Sequence, residues 1–188
     1  PTFGADSMGE CPAASFTMPI DSPAGFLYTL EEMVTSARAD QDRLERRFTS
    51  PVLLVVAPQE EWAETTAVRT TTDSSDPVSV TMMPTLVLPV AKRHPGSTDV
   101  TFGRSTVCDV VLPFAAISKA HGFFRSEAAG RWVVGDLGSK NGTYVDGHKV
   151  AASTAHPMRD GATLRFGDVT AKFLSPISFV ADLKRRLS

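Results

Sequence analysis

The chain has 188 residues, 42% of them hydrophobic, and a formal net charge of −2. That length suits one ordinary core with extensions, and two cysteines are too few for a disulfide-stapled scaffold. Charge is uneven: residues 1–95 hold thirteen acids against seven bases and residues 96–174 nine bases against seven acids. No broad basic face for nucleic acid follows, only room for a local anion site.

Residues 1–25, rich in Gly, Ser, Pro, Met and Ala, read as a disordered leader. They show no basic segment followed by a long apolar one, so secretion has no support. No apolar run reaches the about 18 residues of a membrane span; the longest, "PVLLVVAP", is strand-sized. A cytoplasmic protein without membrane contact is expected, with Cys11 and Cys108 as free thiols.

An N-terminal extension covers 26–81. Thr29 and Glu32 have the spacing of a capping box. Leu30, Val34, Ala37, Gln41, Leu44 and Phe48 then alternate in steps of four and three, which predicts a helix over 30–48. Gln41 interrupts the stripe, so a helix docked on its own domain is expected over a long coiled coil. A buried strand is expected at 52–57, followed by an acidic, Thr-rich link, "EEWAETTAVRTTTDSSDP".

From about residue 82 the pattern becomes short apolar runs punctuated by Gly, Pro, Asn and Asp: "TLVLPV", "DVTFG", "DVVL", "HGFFR", "RWVVGD", "GTYV", "HKV", "ATLRFG" and "VTAKFL". Strands this short and this closely spaced predict an all-β sandwich over 82–176. A short C-terminal helix is expected at 177–188, in "SFVADLKRRLS". Asp146-Gly147 reads as a hairpin turn and Asn141-Gly142 as a tight turn.

Polar residues gather where these strands end. Arg104 follows Gly103, where the chain must leave a strand; Ser118 and Lys119 precede His121 in a short loop; Lys140 and Asn141 precede Gly142. If loops at one end of a sandwich bring these together, Arg104 supplies a rigid fork suited to phosphate, Ser118 a short hydroxyl donor, and Lys119 and Lys140 flexible positive charge. The neutral amide of Asn141 both donates and accepts, which suits a peptide backbone. The set describes a site for a phosphorylated side chain carried on a peptide. His121, directly before Gly-Phe-Phe, is expected to pack inward and brace the loop through a ring nitrogen.

Other chemistries fit poorly. Ser118 and His121 with Asp109 or Asp136 could be assembled into a hydrolase triad, but no G-x-S-x-G elbow is present. His94, His148, His156 and Cys108 have no recognised zinc spacing. No catalytic residue, metal or cofactor is expected. A scaffolding domain that does not require phosphate is the alternative from another class.

The stretch from Gly103-Arg104, through Ser118 to His121, to Asn141-Gly142, extended by "DLGSKNGTYVDG" and "LRFGD", resembles the forkhead-associated (FHA) domain, a phosphothreonine-binding module. The resemblance covers roughly residues 82 to 174 and implies a sandwich of about eleven short strands with the ligand held by loops at one end. It implies Arg104 and Ser118 as the main phosphate ligands, with Lys119 and Lys140 assisting. Asn141 holds the peptide backbone, while Gly103, His121 and Gly142 support the site. Residues just before Ser118, here Ala116 and Ile117, sit where some relatives read the third peptide position after the phosphothreonine. The implied partner is a phosphothreonine-containing protein, the chain's own link (Thr65, Thr66, Thr70, Thr71, Thr72) being one possible source.

Overall fold

The computed structural model describes residues 28–39, 44–56, 85–93 and 97–187. The expected leader, the acidic link and Cys11 lie outside the described residues. In chain order the elements are β1 Tyr28–Thr29, α1 Leu30–Ala39, α2 Leu44–Arg47, β2 Val52–Val56, β3 Thr85–Pro89, β4 Val100–Gly103, β5 Val110–Val111 and β6 Gly122–Ser126. There follow β7 Trp132–Asp136, β8 Thr143–Val145, β9 His148–Lys149, β10 Ala155–Met158, β11 Thr163–Phe166, β12 Val169–Leu174 and α3 Pro176–Leu187. The strands form a seven-stranded sheet, β1-β3-β2-β12-β11-β8-β9, facing a five-stranded sheet, β10-β7-β6-β4-β5. The all-β sandwich with short terminal helices is therefore the observed architecture.

Alternation builds the core. Along β11 Leu164 and Phe166 are buried while Thr163 and Arg165 face water, the pattern of a strand with one covered face. Phe102, Phe124 and Phe166 meet at the centre, with ring centroids 4.7 Å apart for Phe102–Phe124 and 4.8 Å for Phe102–Phe166. Each such ring fully buried contributes about 1.5–3 kcal/mol relative to exposure.

One expectation is corrected here. The strand at Val52–Val56, read as part of an extension preceding the sandwich, lies inside the larger sheet, paired with β3 on one side and β12 on the other. Its continuous apolar run is explained by two covered faces. Leu53 and Val55 enter the sandwich core, while Val52 and Leu54 lie under the helices.

The helices make a third layer. Leu30, Met33 and Ala37 of α1, Leu44 of α2, and Phe179, Val180 and Leu183 of α3 pack with Phe48 over Val52, Leu54, Val87 and Leu174. Phe48 meets Phe179 edge to face at 4.9 Å. Thr29 and Glu32 cap α1 reciprocally: the Thr29 N–H donates to Glu32 Oε2 at 2.8 Å and the Glu32 N–H to Thr29 Oγ1 at 3.2 Å. The helix expected over 30–48 is seen as α1 and α2, with 40–43 outside the described residues. Met33, on no predicted stripe, is buried, while Val34 is only partly covered.

A second difference is β10, "AHPM", which no alternating pattern announces. Among the described residues it pairs with β7 alone, as an edge strand, the position in a sheet where a proline such as Pro157 is tolerated.

Candidate functional site

The polar residues singled out above lie in three loops at one end of the sandwich: 104–109 after β4, 112–121 before β6, and 137–142 between β7 and β8. Backbone bonds stitch the first two together. The Arg104 N–H donates to the Ser118 carbonyl at 2.9 Å and the Ser105 N–H to the Lys119 carbonyl at 3.1 Å. This close approach explains Gly103, since a Cβ there would collide with the Lys119 carbonyl. The third loop is tied in by side chains. The Lys140 N–H donates to Ser118 Oγ at 3.0 Å, and Asn141 Nδ2 donates to the Ala116 carbonyl at 2.8 Å.

These contacts leave specific groups available. Arg104 is exposed and uses Nε toward the Ile117 carbonyl at 3.3 Å, so its outer nitrogens remain as donors. Ser118 Oγ accepts from Lys140, which leaves its hydroxyl hydrogen to donate outward. Asn141 is exposed and keeps its carbonyl oxygen as an acceptor. Lys119 and Lys140 are both exposed beside it. The result is an open surface of donors and positive charge. A groove of about 380 Å³ between α3 and β12, lined by Leu54, Lys172, Ser178 and Arg185 among others, shares no residue with these loops.

His121 sits beneath this surface and is fully buried. Its ring Nδ1 accepts from the Ser118 backbone N–H at 3.2 Å, and the His121 backbone N–H donates to the Phe102 carbonyl at 2.9 Å. The ring stacks on Phe102 at 5.5 Å and meets Phe166 edge-on at 5.7 Å, so the loop is anchored to the aromatic core. An acceptor Nδ1 requires neutral imidazole. Burial lowers its pKa, against the raising influence of Asp136 and the Gly142 backbone.

Asp136 is a residue that sequence reasoning left without a role. Buried at the end of β7, its Oδ1 accepts from the N–H groups of Gly138 and Ser139, both at 2.8 Å. Its Oδ2 accepts from the hydroxyls of Ser139 at 2.6 Å and Thr143 at 2.7 Å. Burial alone would raise its pKa, but these bonds hold it below the usual carboxylate range. Ser139 Oγ in turn accepts from the Gly142 N–H at 3.0 Å, and Gly142 turns the chain at φ 77° into β8. The spacing Asp-x-x-Ser before Asn-Gly was the available signal, that of a carboxylate bonding its own following backbone.

The hydrolase arrangement does not form: the ring nitrogen nearest the Ser118 backbone accepts an N–H, and Nε2 lies 4.0 Å from Asp136 Oδ2. Cys108 is a free, buried thiol whose pKa burial raises further, with Asp109 adding to the effect. Among the described residues no cluster of three or more His, Cys, Asp and Glu could hold a metal, and no helix is long and apolar enough to cross a membrane.

Residues 100–167 match the family model of the FHA domain, and all three loops fall within that span. Among curated proteins, none matches the chain. Solved structures similar to it include the FHA domain of the CT664 protein from Chlamydia trachomatis, 19% identical with a TM-score of 0.45, covering 67% of this chain and 97% of that one. The N-terminal FHA domain of Rad53p from S. cerevisiae, in complex with a phosphothreonine peptide, is 17% identical with a TM-score of 0.42, covering 71% and 98%. Mycobacterium tuberculosis EmbR, in complex with a low-affinity phosphopeptide, is 26% identical with a TM-score of 0.38, covering 42% of this chain and 20% of that one.

Proposed function

We propose that residues 100–167, which match the FHA domain model, bind phosphothreonine-containing segments of partner proteins through their three joined loops. The observation that carries this reading is the convergence of Arg104, Ser118 and Asn141 on one exposed edge through bonds between their loops. Arg104 and Ser118 hold the phosphate, with Lys119 and Lys140 adding charge. Asn141 bonds the peptide backbone, and Gly103, His121 and Gly142 keep the loops in place. A phosphothreonine adds nearly two negative charges and three strong acceptors at neutral pH, which matches a surface of donors and cations.

The module acts in signalling or regulated assembly, and it binds rather than catalyses. The Thr-rich link at 65–72 is one source of ligand, supplied by the same or a neighbouring molecule once phosphorylated. Titration of matched phosphothreonine, phosphoserine and unphosphorylated peptides tests the reading. Tight binding of the first, weaker binding of the second and none of the third is expected. Equal affinities for phosphorylated and unphosphorylated peptides would leave a scaffolding domain that does not use phosphate.

A further inference from the structure

The Asn141 side of the site does not end at Asn141. The Gly167 N–H donates to the Gly142 carbonyl at 3.1 Å, and Gly167 lies so close to Asn141 and Ala116 that a Cβ there would sit 3.1 Å from one and 3.3 Å from the other. Arg165 Nη1 donates to the Gly167 carbonyl at 2.6 Å, and its guanidinium lies over the Tyr144 ring at 3.6 Å. Sheet register continues the row: Arg165 opposes Tyr144, and Tyr144 opposes Lys149. Gly142 closes the circuit, because a Cβ there would meet Lys149 Cε at 3.2 Å and Tyr144 Cε2 at 3.4 Å. Two cations flanking one aromatic ring therefore run across the outer face of β11, β8 and β9, starting at the turn that carries Asn141.

This face is not covered by the helical layer, whose contacts on the sheet are Val52, Leu54, Val87 and Leu174. Arg165 and Lys149 are exposed and Tyr144 is half-buried. Of the acids near the row, Asp146 is paired with Arg159 at 3.2 Å, and Asp168 is exposed in the same turn as Gly167. Arg165 is held in place twice, by the Gly167 carbonyl and by the ring, so little side-chain freedom remains to be lost when an anion docks.

We infer that the Arg165–Tyr144–Lys149 row is a second subsite of the same surface, selecting phosphopeptides that carry Asp or Glu on one flank of the phosphothreonine. This rests on the phosphopeptide reading above. The two positive charges and the half-buried ring fit a carboxylate-bearing, extended segment: carboxylates pair with the guanidinium and ammonium while the chain lies along the ring edge. The subsite sets partner choice, whereas the loops set phosphate dependence.

The test uses the full chain and four phosphothreonine peptides with otherwise identical sequence: neutral flanks, three acidic residues before the phosphothreonine, three after it, and lysines in place of the acids. Each is paired with its unphosphorylated form. One acidic arm should bind about fivefold more tightly than the neutral peptide, from two exposed charge pairs. Lys149→Glu should erase that ratio and improve the lysine-flanked peptide, while a shared melting temperature confirms an intact fold. Arg165→Gln, as a second variant, should reduce the ratio without a charge reversal. Acidic arms no tighter than neutral, or a ratio unchanged in both variants, would overturn the subsite alone. Absence of any difference between phosphorylated and unphosphorylated peptides would instead overturn the phosphate site and the subsite with it.

Discussion

The Ser118 backbone N–H donates to His121 Nδ1 at 3.2 Å, so a residue at the surface is fixed by one whose ring is fully buried against the aromatic core. The bond spans three residues of a loop with no regular structure of its own. It converts the position of an aromatic cluster into the position of a hydroxyl on the surface.

His121→Ala should therefore lose stability and peptide binding together. The substitution leaves a cavity against Phe102 and Phe166 and an unpaired Ser118 N–H, and a cost of about 2–4 kcal/mol is expected. Thermal melting and titration on the same sample check it. Loss of binding with unchanged melting would move His121 into direct contact with the ligand.

The same residue gives a pH dependence. Because burial lowers the His121 pKa below its ordinary value of 6.5, the unfolded chain takes up a proton before the folded one does. Its contribution is complete above about pH 6.5 and declines as pH falls from there toward the lower folded pKa. Melting temperature against pH should show this decline in the native chain, and His121→Asn should remove that portion of the slope.

Arg104→Ala should separate binding from folding. The side chain is exposed and its bond among the described residues, Nε to the Ile117 carbonyl, is long at 3.3 Å. Stability should change by no more than about 0.5 kcal/mol. Phosphopeptide affinity should fall about 30-fold or more, the effect of removing a charge-assisted contact of about 2–4 kcal/mol. Normal phosphopeptide binding by the folded variant would refute the proposed site.

Asp136→Ala should act at a distance from the ligand. It removes the acceptor for Gly138, Ser139 and Thr143 at once, leaving the buried Thr143 hydroxyl unpaired. A loss of about 3 kcal/mol in stability is expected, with weaker peptide binding because Asn141 is no longer presented at a fixed turn. Faster amide exchange confined to 137–143 would identify the loop as the part released.

Asp109 offers a contrasting acid test. Burial pushes its pKa up, but N–H donors from Arg93 and Thr101, the Thr101 hydroxyl and Lys92 bring it down to about 2. A depressed carboxylate stabilises fully above its ordinary pKa of about 3.8, and that contribution is lost as pH falls through about 2. Asp109→Asn should be less stable than the native chain at neutral pH, and the gap should close toward pH 2.

These residues also show what could be read before any fold was known. Arg104, Ser118, His121 and Asn141 stood out because each occupies a short loop between apolar runs, where a polar side chain has no packing reason to be specific. Asp136 did not, since the value of a carboxylate that satisfies four donors appears only once its loop has a shape. Strand β2 was recognisable as a buried strand but not as a sandwich member, because its partner β12 lies at the far end of the chain and no local pattern encodes that pairing. The hidden edge strand β10 failed for the opposite reason: Pro157 contradicts a strand locally, and only its position at the rim permits it.

The placement of β2 between β3 and β12 carries a consequence for how the molecule comes to exist. Val52–Val56 leaves the ribosome well before one of its two neighbours, Val169–Leu174, from which most of the sandwich separates it in sequence. Until then an apolar strand waits with an open edge, so the larger sheet closes only once β12 has been made, and the loop entropy of a long detour opposes it. A fragment cut to residues 100–167 would contain every candidate ligand residue and yet lack β1, β2, β3 and β12, four of the seven strands of the sheet that backs them. What binds and what folds are thus units of different length in this chain.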